Sequence, residues 1–202
     1  MNGQFVYYTI EKESVAEFKD RGSRFIAYAF PIQTVDDFKQ RIRALKEEHP
    51  KAVHHCFAYR LGTEGTQYRV SDDGEPSGSA GRPILAQIDS RQLTNVAVVV
   101  VRYFGGTLLG VPGLIQAYKS STAFALQTTP LLQKQVEVLY ALEFDYHRMN
   151  EVQVLLRQFS CTVYEQQLQL FCRITAGIPK SRLTEVVQRL EQLYDLRLQK
   201  IN

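Results

Sequence analysis

The sequence predicts a two-domain α+β protein, and three observations lead to this prediction. The 202 residues exceed the usual length of one domain, about 100–150 residues. A run that is apolar until Arg102, Asn95–Tyr103, is typical of a strand covered on both faces. After the polar stretch Thr128–Gln135 the glycine clusters end and short elements alternate regularly. We therefore expect a first domain over residues 1–135 and a second over residues 136–202.

The first domain is predicted to combine strands with helices. Aromatic and β-branched residues predict strands at Phe5–Ile10, Arg24–Phe30 and Val53–Tyr59. Thr34 is expected to cap a helix that ends before His49-Pro50, because proline disfavours the helical conformation of the residue before it. The buried run then forms the central strand. A glycine-rich turn leads from it into a helix that Pro112 or Gly113 opens.

The second domain is predicted to follow the order βαββαβ. Its expected elements are a strand Val136–Phe144, a helix Arg148–Phe159, a hairpin of Cys161–Gln166 and Leu168–Ala176, a helix Ser181–Tyr194 and a strand Leu196–Ile201. This order is that of the ferredoxin-like fold, an antiparallel sheet covered on one face by two helices. A turn at Gln166-Gln167 would place Cys161 opposite Cys172.

The composition of the chain argues against several classes of function. Lys and Arg number 24 against 21 Asp and Glu, and a net charge of +3 is too small to indicate a general nucleic-acid binder. No sequence-specific contact with DNA is expected. We find neither an export signal nor an apolar run of about 18 residues, so we expect a cytoplasmic protein without membrane contact. Three cysteines without CxxC spacing argue against a disulfide framework and against structural zinc, and no cofactor is expected.

The densest functional signal is Ser71–Pro83, SDDGEPSGSAGRP. Its glycines allow backbone N–H groups to point outward at a helix start and to cradle an anion, with Arg82 adding charge. Asp72, Asp73 and Glu75 favour instead a divalent cation or a basic partner. A turn held by bonds from its own side chains is the third interpretation.

A second signal is Arg102–Gly113, RYFGGTLLGVPG. It has the GxxxxG spacing of a phosphate-binding loop, but Val111 and Pro112 stand where that loop needs Lys and Ser or Thr, which argues against a nucleoside triphosphatase. Glycines that only permit a tight connection are the alternative. Arg102 ends a run of four valines, where a charge is unfavourable unless it is paired or reaches water.

The third signal is the histidine pair in HHCFAY. On a strand His54 and His55 point to opposite faces, so they do not readily share one metal ion. Cys56 has no identifiable partner to orient it as a nucleophile. We expect the three segments to converge, with Arg82, Arg102 and His55 on one side of the domain.

Together with Ser23–Phe25 (SRF) and the continuation into GLIQAY, these segments resemble the signature of the YigZ/IMPACT family. The resemblance implies a first domain of the ribosomal protein S5 domain 2-like fold and a ferredoxin-like second domain, similar to the fourth and fifth domains of elongation factor G. Eukaryotic members of the family regulate translation by competing at the scaffold that activates a starvation-responsive kinase. The resemblance therefore implies a function that is not catalytic.

We expect a non-catalytic, translation-associated binding module that contacts RNA, the ribosome or a translation-related protein. Arg24, Arg82, Arg102 and Lys119 would contact phosphates. The alternatives are a hydrolase for a small anionic substrate, using the cluster of Asp72, Asp73, Glu75, His54 and His55, and an adaptor that binds a basic protein. The candidate binding residues are Ser23, Arg24, His54, His55, Ser71, Asp72, Asp73, Gly74, Glu75, Gly78, Ser79, Gly81, Arg82, Arg102, Tyr103, Gly105, Gly106 and Lys119.

Overall fold

The computed structural model describes residues 4–201 and contains two compact units. The first unit is Tyr7–Lys134, and the second contains residues 135–201 together with residues 4–6. No helix within residues 4–201 is long and apolar enough to cross a membrane.

A five-stranded antiparallel sheet forms the centre of the first unit. Its strands are β2 (Ser14–Asp20), β3 (Ser23–Pro31), β4 (His54–Leu61), β5 (Gln67–Ser71) and β6 (Val96–Tyr103), in the order β2-β3-β6-β4-β5. The prediction of a central strand is confirmed, because β6 lies in the middle and is buried from Val96 to Arg102. Two further strands, β1 (Val6–Ile10) and β7 (Leu131–Gln135), form a separate two-stranded sheet.

Three helices cover the two faces of this sheet. Helix α1 (Val35–Glu48) packs on one face, where Phe38 and Leu45 join a core with Val99 and Val101. Helices α2 (Gly81–Ser90) and α3 (Gly110–Gln127) pack on the other face, in the core that contains Val98 and Val100. Alternate residues of β6 thus face opposite helices, as the period of a strand requires.

The boundaries of α1 agree with the sequence prediction. Thr34 accepts a hydrogen bond from the Asp37 backbone, and the Asp37 carboxylate accepts one from the Thr34 backbone, which together form a capping box. The helix ends at Glu48, before Pro50. Helix α3 begins at Gly110, so Pro112 lies in its first turn. Strands β2, β5 and β7 were not predicted from the sequence.

The second unit has one four-stranded antiparallel sheet. Its elements are β8 (Glu137–Asp145), α4 (Met149–Gln158), β9 (Thr162–Gln167), β10 (Phe171–Pro179), α5 (Leu183–Glu191) and β11 (Arg197–Lys200), and the sheet order is β11-β8-β10-β9. Val152 of α4 and Val186 of α5 pack in one core with Leu142 and Ile174 of the central strands.

The predicted pairing of the two cysteines in this unit is wrong. Ile174 lies opposite Gln166, whereas Cys172 lies opposite Phe144 of β8 and Cys161 precedes β9. The turn takes in residues 168–170, and a bulge next to Ala176 shifts the register further.

Candidate functional site

The start of α2 is closed by Asp72, which lies nine residues before the first residue of the helix. Asp72 Oδ1 accepts hydrogen bonds from the backbone N–H groups of Ala80 (3.0 Å) and Gly81 (2.8 Å), and Oδ2 accepts one from Gly78 (2.8 Å). Burial alone would raise the pKa of the Asp72 carboxyl, but these three N–H groups hold it below its usual value. The expectation that these N–H groups point outward at an anion is therefore wrong, because the chain's own carboxylate occupies them.

The turn after Asp72 fastens this loop to β4. The Glu75 N–H donates to the Asp72 carbonyl at 2.9 Å, and both central residues, Asp73 and Gly74, have positive φ, as in a type I′ turn. Asp73 Oδ2 accepts from the backbone N–H of His55 at 2.7 Å. The Asp73 carbonyl lies 2.7 Å from Nδ1 of His54, so that nitrogen carries the proton that the bond requires.

Glu75 and Arg102 form a buried ion pair on the α2/α3 face of the sheet. Glu75 Oε1 lies 2.5 Å from Nη1 of Arg102 and accepts a second bond, at 2.7 Å, from the hydroxyl of Tyr118. The two charged side chains are 3% and 7% exposed. This pairing explains how β6 tolerates a charge after its valines. His54 Nε2 lies 3.9 Å from the same Glu75 oxygen.

Cys56 and Tyr118 extend this cluster inward as neutral groups. The Cys56 thiol lies 3.2 Å from the Tyr118 hydroxyl and 2.9 Å from the Asp72 carbonyl oxygen. Burial raises the pKa of both side chains well above their ordinary values. A cysteine that stays protonated is a poor nucleophile, so the geometry does not favour catalysis by Cys56.

The expected convergence of Arg82, Arg102 and His55 is wrong for His55. Its side chain lies on the α1 face, where burial lowers the pKa of the imidazole, and its Nε2 has no hydrogen-bond partner among residues 4–201. Arg102 faces the other helices, and Arg82 is exposed in the first turn of α2. Of the histidines and carboxylates proposed for a hydrolase, only His54 and Glu75 share a site.

The three carboxylates of the loop also do not share a cation. Asp72 binds the start of α2, Asp73 binds β4, and Glu75 binds Arg102. Within the described part of the chain no group of three His, Cys, Asp or Glu side chains could hold a metal ion.

Several candidate glycines and serines have structural roles. A Cβ on Gly105 would overlap the backbone of Gly22 and Ser23, and the Ser23 hydroxyl accepts from the Gly105 N–H at 3.1 Å. A Cβ on Gly81 would lie 2.8 Å from the Ser71 backbone nitrogen. Ser71 Oγ accepts from the Asp73 N–H at 3.3 Å. These contacts let the loops pack closely and do not require a ligand.

The remaining candidates are dispersed. Arg24 pairs with Glu17 at 2.7 Å, and Tyr103 bonds to His49 at 2.9 Å on the α1 face. Ser79 is buried and donates to the Pro76 carbonyl at 2.6 Å. Gly78 and Gly106 occupy turns with positive φ, whereas Lys119 is exposed on α3.

An open pocket of about 420 Å³ lies beside the ion pair. Glu75, Arg102 and His54 supply its polar wall, and most of the other lining side chains are apolar: Val53, Pro76, Phe104, Leu108, Leu109, Val111 and Leu114. Gly110 and Val111 line it at the start of α3. The pocket thus combines three polar side chains with a helix end and apolar walls.

Sequence reasoning missed the part that Tyr118 plays in this cluster. Tyr118 lies on α3 among the residues of the apolar core and is fully buried. A buried tyrosine needs a partner for its hydroxyl, and that requirement was the available signal. Nothing in the sequence identified Glu75 as that partner.

Comparison with known proteins identifies the family. The model of the Impact N-terminal domain matches residues 21–126, more than half of the chain. The chain belongs to the IMPACT family. An IMPACT family member of Haemophilus influenzae is 34% identical over 197 residues, which cover 95% of this chain and 94% of that protein. The IMPACT family member YigZ of Escherichia coli is 34% identical over 170 residues, 83% of each chain.

One solved structure resembles the whole chain. It is a crystal structure of a hypothetical protein, with a TM-score of 0.75 and 30% identity over 98% of both chains. The segment that matches the IMPACT domain, residues 21–126, contains every candidate residue and every residue that lines the pocket. The candidate site therefore lies wholly within the domain that defines the family.

Proposed function

We propose that this IMPACT family protein is a cytoplasmic, non-catalytic binding protein that acts in the regulation of translation. It binds a translation-related protein or the ribosome through the surface around the pocket. The role in translation rests on family membership, since the sequence resemblance associates eukaryotic IMPACT proteins with that process. The absence of catalysis is supported by the burial of Cys56 and Tyr118, which raises the pKa of both side chains, and by the bond from Arg102 to the Glu75 carboxylate.

The observation that carries the proposal is an exposed apolar rim at the start of α3. We define the apolar rim as Phe104, Leu108, Val111 and Ile115; Leu108 is 82% exposed, and the other three are between 38% and 47% exposed. Apolar side chains that cluster beside a pocket are typical of a protein-binding surface. A protein partner therefore fits this surface better than a phosphate backbone does.

Contact with RNA has weaker support from the charges. Of the four residues expected to contact phosphates, Arg24 pairs with Glu17 and Arg102 with Glu75. Arg82 and Lys119 are exposed and make no ion pair within residues 4–201. Of these four residues, Arg82 and Lys119 are therefore the two left to contact phosphates of ribosomal RNA.

We also propose the finer classification of the two domains. The first, over residues 1–135, is assigned to the S5 domain 2-like fold by resemblance. The second, over residues 136–202, is assigned to the ferredoxin-like fold. The order βαββαβ and the sheet order β11-β8-β10-β9 support the second assignment.

Co-sedimentation with ribosomes at increasing salt tests the proposed function. Leu108→Asp is expected to abolish sedimentation with the ribosome, and Leu170→Asp, the same change at an exposed leucine of the second unit, is expected to leave it intact. A double variant, Arg82→Ala with Lys119→Ala, is expected to reduce only the salt-sensitive part of binding. Failure of the wild-type protein to sediment at low salt would exclude the ribosome as the partner, and equal loss in both leucine variants would contradict the proposed binding surface.

A further inference from the structure

The start of α3 differs from that of α2 because no side chain within residues 4–201 caps it. Leu109 occupies the capping position with helical φ and ψ, and its side chain makes no capping hydrogen bond. The N–H groups of Gly110 and Val111 have no acceptor within residues 4–201, and Pro112 has no N–H group. The positive end of an 18-residue helix therefore opens on the pocket that Gly110 and Val111 line.

Arg102 gives an independent indication that this pocket takes a ligand. Its side chain is 93% buried and lines the same pocket, yet among the described residues only its Nη1 has a hydrogen-bond partner. Its Nε is buried and has no acceptor in the part of the chain that the structure describes. A buried guanidinium normally satisfies its donors, because an unpaired buried donor is unfavourable. Arg102 thus lines the pocket beside the uncapped helix end, and among the described residues its donors other than those on Nη1 have no acceptor.

The walls and the net charge define the class of ligand. Glu75 neutralises Arg102, so its carboxylate would repel a doubly charged phosphate more strongly than a ligand with one negative charge, which the positive helix end favours. Phe104, Leu108 and Leu114 surround the polar wall with apolar surface. A volume of about 420 Å³ admits a small molecule or the end of a peptide.

We propose that this pocket binds a carboxylate that carries an apolar group, with the carboxylate between Arg102 and the N–H groups of Gly110 and Val111. The apolar group packs against Phe104 and Leu108. Both small branched-chain acids and the C-terminal carboxylate of a peptide with an apolar last residue have this chemistry. The site does not depend on the proposed role in translation.

Titration calorimetry of the full chain tests the site with four probes. These are isocaproate, its neutral amide isocaproamide, N-acetylleucine and inorganic phosphate. Isocaproate is expected to bind on the order of tenfold more tightly than isocaproamide, because the amide lacks the charge. Tighter binding of N-acetylleucine than of isocaproate would assign the site to peptide ends, and the reverse order to small acids. Equal affinities for isocaproate and isocaproamide would overturn the proposal. An affinity for phosphate equal to that for the acids would also overturn it, because the site would then be a general anion site only.

Variants of the ion pair separate this site from nonspecific binding. Glu75→Gln keeps an acceptor for Arg102 and Tyr118 but removes the opposing charge, so it is expected to tighten binding of isocaproate on the order of tenfold. Combining it with Arg102→Met is expected to abolish binding. Circular dichroism and thermal unfolding confirm that each variant is folded. Weaker binding by a folded Glu75→Gln protein, or unchanged binding by the folded double variant, would overturn the proposal.

Discussion

Helices α2 and α3 both follow glycine-rich loops on the same face of the sheet, but their first turns differ. At the start of α2 the Asp72 carboxylate accepts three backbone hydrogen bonds. At the start of α3 no side chain among the described residues makes a capping bond, and the polar group nearby is the incompletely paired Arg102. In the loop with more polar residues, a side chain of the loop accepts the hydrogen bonds of the helix start. In the more apolar loop, no side chain among the described residues does so. The density of polar residues in a motif is therefore a poor guide to where the N–H groups of a helix start remain without an acceptor.

The largest expected effect comes from breaking the ion pair at the open site. Arg102→Met leaves Glu75 buried without a counter-charge, which is expected to lower the free energy of unfolding by about 3–5 kcal/mol. Adding Glu75→Gln to this variant is expected to restore most of the loss, because neither charge then remains. Urea denaturation of the two single variants and the double variant gives the coupling energy. Additive losses would show that the two side chains do not interact.

The next effect concerns how the loop before α3 is anchored. Gly105→Ala is expected to destabilise the protein by about 1–3 kcal/mol, because the new Cβ overlaps the backbone of Gly22 and Ser23. The matched control is Gly106→Ala, where φ is +85° but, apart from the adjoining residues, no atom of residues 4–201 lies within 4 Å of the new Cβ. Its expected loss is about 1 kcal/mol, from the backbone conformation alone. Equal losses in thermal unfolding would show that Gly105 does not pack as described.

Removal of the Asp72 cap is expected to have a smaller effect on stability. It is also expected to leave the start of α2 without a capping side chain, as at the start of α3. Asp72→Ala removes three acceptors, with an expected loss of about 1–2 kcal/mol in urea denaturation. The freed N–H groups of Gly78, Ala80 and Gly81 should then respond to added acetate in amide NMR spectra. Glu64→Gln removes an exposed charge elsewhere and is the control. If the acetate response is the same in both variants, Asp72 does not close this helix.

The smallest expected effect is a pH dependence of stability from His55. Burial lowers the pKa of this imidazole in the folded protein below its ordinary value of 6.5, so the unfolded chain binds a proton first as the pH falls. The contribution of His55 to the free energy of unfolding is therefore complete above pH 6.5, and it is lost as the pH falls from 6.5 through the folded pKa. Between pH 6.5 and the folded pKa, the free energy of unfolding of the His55→Leu variant should depend less on pH than that of the wild type. His147→Asn, at a 92% exposed position, should not change the profile.

Most of the architecture could be predicted because local patterns determine it. The valine run predicted β6, Thr34 predicted the start of α1, and alternating elements predicted βαββαβ. Strands β2 and β5 were missed because they are edge strands with largely exposed residues, so they lack a strong apolar pattern. The register of β9 on β10 depends on a bulge that no periodicity reveals.

The contacts of the site could be predicted only in part. The charge of Arg102 after four valines indicated a need for a partner, but Glu75 lies 27 residues away, and only the fold brings the two together. The same holds for Asp72, which was one of three candidate carboxylates and became the cap of α2. Spacing in the sequence does not encode which of several polar side chains turns inward.

Amide NMR of the wild-type protein during titration with isocaproate tests the contrast between the two helix ends most directly. One spectrum observes both ends. We expect the signals of Gly110 and Val111 to shift as the acid is added, and those of Gly78, Ala80 and Gly81 to stay in place because Asp72 already occupies their N–H groups. Shifts at Gly78, Ala80 and Gly81 without shifts at Gly110 and Val111, or no shifts at either end, would contradict the account.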